Sequence, residues 1–141
     1  MKFRVFLDTG IFIYSFEFPK SNSAKIIELL NNQEIEAIIS ERVLKEVTRY
    51  FEKFYNIEVA RKFRRYLIDN CIFVEKNKVL NEKESLKGQI KEKDLEQLAV
   101  VKKYGIKYLI AYDKDFESFE EYFTPKKFLE KLDHEFSEDE F

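Results

Sequence analysis

Two acid-bearing segments stand where apolar strands are predicted to end. Asp8 follows FRVFL, and Asp113 and Asp115 follow KYLIAY. An open parallel sheet places its sites outside the carboxyl ends of its strands, so these carboxylates can face a ligand. Glu46 borders the apolar face of a predicted helix, where a half-buried carboxylate needs a cation or metal as partner. Because carboxylate oxygens are hard ligands that suit Mg²⁺ or Mn²⁺, these acids are candidates for metal-assisted chemistry.

Each acid also has a purely structural explanation. Asp stabilises the turn that leaves a strand, which accounts for Asp8 or Asp113 taken alone. Glu46 can lie at the edge of its helix face with its carboxylate in water. Asp94, in DLEQ, can be a helix N-cap to which Gln97 reaches back. Spacing alone leaves these alternatives open.

Strands alternating with helices are predicted to position these acids. The predicted strands are FRVFL, IEAIIS, CIFVE and KYLIAYD. The helical patterns are SAKIIELLNN, ERVLKEVTRYFEKF after the N-cap candidate Ser40, residues 58–68, residues 79–90, DLEQLAVVKKYG, and a last helix from Pro125. This order predicts one α/β domain with a mainly parallel sheet at residues 1–132, and an acidic tail at 133–141 that frays.

The composition is that of a globular chain. With 141 residues, of which 45% are hydrophobic, it can bury one sizeable core. No apolar run reaches the roughly 18 residues that span a bilayer, and the N-terminus is unlike a signal peptide, so a cytoplasmic protein without membrane contact is expected. The single cysteine, Cys71, excludes an internal disulfide and a Cys-rich metal site. A net charge of −2 means that nucleic-acid binding must depend on local patches.

Four segments, taken in order, resemble the PIN-domain family, which includes the VapC-type toxin nucleases and related RNA-processing enzymes. LDTGIFIY is similar to the family's first strand with its L-D-T/S motif, and ISERVLKEV to its acid-bearing helix. KDLEQLAVVKKYGIKYLIAYDKDF is similar to its Asp-led helix, Gly, strand and D-x-D-F turn, and TPKKFLEKL to its closing helix. The resemblance covers nearly the whole chain and implies a three-layer α/β/α fold around a central, mainly parallel sheet.

The resemblance implies a Mg²⁺- or Mn²⁺-dependent endoribonuclease, either a toxin with a separately encoded antitoxin or an RNA-processing enzyme, and it implies a homodimer. The acids to which it assigns catalytic roles are Asp8, Glu46, Asp94 and Asp113, and those it directs toward the metal are Asp8, Asp94, Asp113 and Asp115. Thr9 is expected to hydrogen-bond a carboxylate or a phosphate. Clustered carboxylates repel one another without a cation, so the metal-free site is expected to hold a raised carboxylate pKa.

Two positions depart from the family pattern. Gly10 stands where Asn is common, and Ala111 stands where a Thr two residues before Asp113 is common. The second change removes a hydroxyl near the implied metal. Both departures favour an alternative, a non-catalytic PIN-like module that binds RNA or protein, whereas retention of all four acids opposes it.

Basic residues beside Glu46 are the candidates for substrate binding. Arg42, Lys45 and Arg49 recur at three- and four-residue steps, a stripe suited to a phosphate backbone. The alternative is a solvated helix face balanced by nearby Glu52.

Two further protein classes place Asp at strand ends, the phospho-acceptor receivers and the haloacid-dehalogenase-type phosphatases. A receiver needs paired acids near the first strand, where this chain has Asp8 alone. The phosphatase needs D-x-D there, but Gly10 occupies the position of the second acid. Both classes fit poorly.

Overall fold

A five-stranded, all-parallel sheet organises residues 2–139, the part of the chain that the computed structural model describes. The strands are β1 (Phe3–Leu7), β2 (Ile35–Ser40), β3 (Cys71–Val74), β4 (Tyr108–Ile110) and β5 (Tyr122–Phe123). They lie side by side in the order β3-β2-β1-β4-β5, and each neighbouring pair is parallel. Central strands covered on both faces need continuous apolar runs, and Val5, Phe6 and Leu7 of β1 are accordingly fully buried.

Helices cover both faces of this sheet. They are α1 (Thr9–Glu17), α2 (Asn22–Asn31), α3 (Glu41–Phe54), α4 (Ile57–Asn70), α5 (Leu80–Leu86), α6 (Leu95–Lys103) and α7 (Pro125–Lys131). Parallel crossovers are right-handed, so the helices between β1, β2 and β3 cover one face and those that return from β3 to β4 cover the other. The predicted three-layer α/β/α fold is confirmed. Within residues 2–139, every helix is too short or too polar to cross a lipid bilayer.

The N-terminus of α3 follows the sequence prediction, whereas α1 was not predicted. The hydroxyl of Ser40 accepts a hydrogen bond from Val43 N at 3.2 Å, which makes Ser40 the N-cap of α3. α1 begins directly after Asp8, and its sequence TGIFIYSFE is rich in aromatic and β-branched residues that disfavour helix in isolation. Burial of Ile11 and Phe12 in the core outweighs that weak propensity.

The strand order reverses between β1 and β4. Leu7 pairs with Ile110 at the carboxyl ends of these strands, and Asp8 N donates to Ile110 O at 3.1 Å. The chain leaves β1 toward one side of the sheet and β4 toward the other, which opens a crevice at this edge. The segments that follow both strands, including Asp8 and Asp113, therefore meet at one place.

The segment after α7, which the sequence predicts to fray, makes specific contacts as far as Asp139. Buried Asn22 donates through Nδ2 to Ser137 O and Asp139 O, each at 3.1 Å, and its Oδ1 accepts from Ser137 N at 2.7 Å. Residues 140 and 141 of the predicted tail lie outside the described residues. The domain bounds of 1–132 and 133–141 stay a prediction.

Candidate active site

Three carboxylates converge at the carboxyl edge of the sheet. One oxygen from each of Asp94, Asp113 and Asp115 lies within 4.8 Å of the others. Asp94 ends a 3₁₀ turn that leads into α6, whereas Asp113 and Asp115 lie in the turn after β4. Asp113 Oδ1 accepts from Asp115 N at 2.9 Å, so the local turn itself holds the two acids together. We call Asp94, Asp113 and Asp115 the acidic trio.

Asp8 and Glu46 extend the acidic trio toward α1 and α3. Asp8 is the residue that precedes α1, and Glu46 lies half-buried in the middle of α3. Thr9 Oγ1 donates to Glu46 Oε1 at 2.7 Å, and Arg42 Nε donates to Glu46 Oε2 at 3.3 Å. The first bond ties the start of α1 to α3 and fixes the Glu46 carboxylate beside Asp8. It also fulfils the expectation that Thr9 hydrogen-bonds a carboxylate.

Burial and mutual repulsion raise two of the carboxyl pKa values. Burial raises the pKa of Asp8 to about 7, and the charges of Glu46 and Asp94 add to the effect, against hydrogen bonds from Thr9 N and the Gln97 side chain. Burial likewise raises the pKa of Asp94 to about 6, helped by the charge of Asp113. The site thus carries more negative charge than its surroundings stabilise, which is the electrostatic condition that favours binding of a cation.

The pKa of the Asp113 carboxyl shifts in the opposite direction. Burial favours its neutral form, but the hydrogen bonds from Asp115 N and from the Lys93 ammonium outweigh burial and lower the pKa of the Asp113 carboxyl. Lys93 Nζ lies 3.1 Å from Asp113 Oδ2. Asp113 therefore stays ionised more readily than Asp94.

The donor atoms suit a hard divalent ion. Asp8 Oδ1 and Asp94 Oδ2 are buried, and neither finds a hydrogen-bond partner within residues 2–139. An unpaired buried carboxylate oxygen is costly, so each needs a cation that the chain does not supply at hydrogen-bond distance. Carboxylates are the ligands that Mg²⁺ and Mn²⁺ take in proteins. The residues present therefore fit the implied metal.

Glu96 is a site residue that the sequence analysis missed. It is only 6% exposed, and its Oε2 accepts from the backbone N–H of Arg42 at 2.6 Å. This places a carboxylate at the positive N-terminal end of α3, where a charged hydrogen bond contributes about 1.5–3 kcal/mol. The contact joins α6 to α3 and so sets the position of Glu46 relative to Asp94. A charged residue in the apolar run LEQLAVV is the signal that could have indicated it.

Gln97 has a different role from the one considered in the sequence. The Asp94 carboxylate caps no backbone N–H of α6 among the described residues, and the Gln97 side chain instead hydrogen-bonds Asp8. Gln97 is 2% exposed. The capping-box alternative for Asp94 is therefore wrong, since this carboxylate faces the other acids.

The basic residues predicted to bind substrate lie in two different parts of the surface. Arg42 contacts Glu46 at the site. Lys45, which pairs with Glu41 at 3.0 Å, lines a separate groove with Arg49 between α3, α4 and the end of β3. Of the basic stripe, Arg42 alone is seen to touch an acid of the site within residues 2–139.

The two departures from the family pattern lie beside the acids. A Cβ on Gly10 would lie 3.4 Å from Tyr112 Cδ2, so a side chain at this position would start in van der Waals contact with the Tyr112 ring. Ala111 is fully buried at the end of β4 and offers no hydroxyl to the neighbouring Asp113. The acids thus keep their places without the two polar side chains.

Comparisons with known proteins agree with this α/β/α fold. A family model described as "PIN domain" matches residues 5–122. A toxin–antitoxin complex from Klebsiella pneumoniae contains a similar chain with a TM-score of 0.69 and 18% identity over 86% of this chain and 97% of that one. VapBC-1 from nontypeable Haemophilus influenzae contains a similar chain with a TM-score of 0.65 and 20% identity, over 88% of this chain and 99% of that one. VapC20 from Mycobacterium tuberculosis, described as a Sarcin-Ricin loop cleaving toxin, has a TM-score of 0.63 and 15% identity, over 81% of this chain and 93% of that one. No curated protein sequence matches significantly.

Proposed function

The chain belongs to the PIN-domain family, and from that premise we propose that it hydrolyses RNA phosphodiester bonds with Mg²⁺ or Mn²⁺ bound at the acidic trio. The observation that carries the proposal is the convergence of Asp94, Asp113 and Asp115 within 4.8 Å. The buried Oδ1 of Asp8, which has no hydrogen-bond partner within residues 2–139, supports it independently, because such an oxygen needs a cation. The similar protein VapC20 is a Sarcin-Ricin loop cleaving toxin, which is consistent with RNA as the substrate.

Each acid has a role that its surroundings support. Asp94, Asp113 and Asp115 would hold the ion, with Asp8 directed toward the same space. When bound, the metal lowers the pKa of a water molecule and neutralises the leaving oxygen of the phosphodiester. Glu46, whose two oxygens accept hydrogen bonds from Thr9 and Arg42, would orient the attacking water and accept its proton.

Cleavage of single-stranded RNA is the direct test. The purified protein, freed of metal with EDTA, is expected to cut RNA only after Mn²⁺ or Mg²⁺ is restored, because the ion is what would activate the water and neutralise the leaving oxygen. DNA of the same sequence serves as the control for the sugar. Cleavage that persists in EDTA contradicts the proposal. Binding of RNA without cleavage at any metal concentration favours the non-catalytic module, which the missing hydroxyl at Ala111 would explain.

A protein partner is the second part of the proposal. We propose that the chain is the toxin of a toxin–antitoxin pair, since the similar chain from Klebsiella pneumoniae belongs to a toxin–antitoxin complex. An open groove of about 500 Å³ lies between α1, α2 and α4. Phe12, Phe16, Ile27, Phe63 and Tyr66 are among its lining residues. An apolar groove between helices suits the apolar face of an amphipathic helix, which the antitoxin would supply.

Co-expression with the product of the neighbouring reading frame tests this partnership. A stable complex is expected, and Phe16→Asp is expected to abolish it, because a carboxylate in the groove would be desolvated by the incoming helix. Phe54→Asp is the matched control, since Phe54 is 58% exposed on α3 outside the groove. Equal loss with both substitutions, or with neither, would contradict this groove as the docking site. The homodimer and the cytoplasmic location stay predictions.

A further inference from the structure

The cationic group of Lys93 lies among the acidic trio. Its Nζ is 3.1 Å from Asp113 Oδ2, 3.8 Å from Asp115 Oδ2 and 3.9 Å from Asp94 Oδ2. Most lysines with salt bridges elsewhere in the described chain, such as Lys87 with Glu84, pair with a single carboxylate. Three carboxylates around one ammonium form an arrangement like that of a cation and its ligands.

The backbone explains how Lys93 reaches this position. The turn Glu92–Asp94 is closed by a hydrogen bond from Asp94 N to Lys91 O at 2.9 Å. It directs Asp94 into the protein, where that residue is 4% exposed, while the neighbouring Lys93 crosses to the turn that carries Asp113. The same short turn thus supplies both a candidate metal ligand and a competing cation.

We infer that Lys93, whose ammonium contacts all three acids, is the shared counter-ion of the acidic trio, and that a divalent ion must displace this ammonium to bind. Among the described residues, Lys91 pairs with Asp115 alone, at 3.3 Å. The inference rests on the proposed metal site and adds to it a residue that sets how readily the site fills. The Lys93 side chain is 54% exposed, so its ammonium can swing into solvent without leaving a buried charge.

Electrostatics gives the direction of the effect. Without metal, the ammonium offsets repulsion among three carboxylates and so stabilises the fold. With a divalent ion at the same place, the two cations repel each other and compete for the same oxygens. Removal of the lysine charge should therefore weaken the metal-free protein and strengthen metal binding. A purely structural salt bridge would produce only the first effect.

The test compares Lys93→Met, Lys93→Arg and Lys87→Met with the wild-type chain. Lys87→Met removes the same charge from a lysine whose partner is Glu84 at 3.0 Å. Mn²⁺ affinity is measured by isothermal titration calorimetry on metal-free protein at pH 8, together with the Tm in EDTA. Lys93→Met is expected to bind Mn²⁺ about tenfold more tightly and to lower the metal-free Tm by ~3 °C. Lys93→Arg, which keeps the positive charge, is expected to have a Mn²⁺ affinity and a metal-free Tm close to those of the wild type.

The outcomes separate this inference from the proposed function. Tighter Mn²⁺ binding by Lys93→Met without RNA cleavage by any variant supports the counter-ion and contradicts the nuclease. An unchanged or weaker Mn²⁺ affinity, or an equal gain in Lys87→Met, overturns the counter-ion even if the Tm falls. Absence of Mn²⁺ binding by both wild type and Lys93→Met overturns the metal site and the counter-ion together.

Discussion

Asp8→Asn is expected to reduce Mn²⁺-dependent RNA cleavage roughly a thousandfold while making the metal-free protein more stable at pH 8. The two effects have one cause. Asp8 is a buried carboxyl whose pKa burial raises to about 7, so at pH 8 the native protein carries an ionised group without a hydrogen-bond partner for Oδ1 within residues 2–139. An amide of the same shape removes that charge together with the ligand.

The amide also keeps the local packing. Asp8 N still donates to Ile110 O, and an Asn side chain has the same shape as Asp and carries no charge to be repelled by Glu46 and Asp94. Loss of cleavage therefore cannot be assigned to unfolding if the Tm rises at the same time. This opposition of activity and stability is what distinguishes a strained functional carboxylate from a structural one.

Asp69→Asn is the matched control for this substitution. Asp69 is an exposed acid on α4 that pairs with Arg65 at 3.1 Å, so the same change of atoms should leave both cleavage and Tm near the wild type. The rate is measured on single-stranded RNA under single-turnover conditions, and the Tm by calorimetry in EDTA. Equal cleavage by the wild-type and Asp8→Asn proteins would indicate a contaminating nuclease and remove Asp8 from the site.

The acids at strand ends are the part of the site that sequence could predict. FRVFL and KYLIAY are mostly apolar, as buried strands are, and parallel strands end at the same edge, so Asp8 and Asp113 were expected near each other. The structure brings them there because β1 and β4 are neighbours. The sequence pattern does not indicate that β1 and β4 are neighbours, since β2 and β3 lie between them along the chain.

Residues of α6 show why the rest could not be predicted. Every residue from Leu95 to Val101 is buried, because α6 is enclosed by the sheet and by other helices. Helical periodicity assigns side chains to an inward or an outward face, and a helix without an outward face gives no such signal. Glu96 was therefore left without a partner in the sequence analysis, and Gln97 was given only a capping role beside Asp94, although both side chains are buried next to the site.

Contacts made across turns were also beyond the sequence. Lys93 was one more charge in a polar stretch, and only the turn that precedes α6 brings its ammonium to Asp113. Glu46 is an intermediate case. Its position at the edge of an apolar helix face indicated that it needed a partner, but Thr9 could be identified as that partner only once α1 was known to be a helix.

The stability of the metal-free protein is expected to fall as the pH rises from 5 to 8, and Mn²⁺ is expected to reverse that fall. The pKa of Asp8 is raised from 3.8 to about 7 and that of Asp94 from 3.8 to about 6. Between pH 4 and 7 the native state therefore holds protons that the unfolded state has lost, so the free energy of unfolding decreases with pH. Above pH 8 the ionised Asp8 costs the fold roughly 3–5 kcal/mol, which corresponds to a Tm about 10 °C lower.

This coupling is measured by calorimetry at pH 5 and at pH 8. Each measurement is made once in EDTA and once in 1 mM Mn²⁺, which is about a hundred times a typical site Kd. The ion binds only the ionised carboxylates, so it should raise the Tm strongly at pH 8 and weakly at pH 5. Asp8→Asn should flatten the pH dependence in EDTA, because the substituted side chain no longer titrates, and Asp69→Asn should leave it unchanged. A wild-type Tm that rises from pH 5 to pH 8 in EDTA in parallel with that of Asp8→Asn would contradict the raised pKa and, with it, the strained metal-free site.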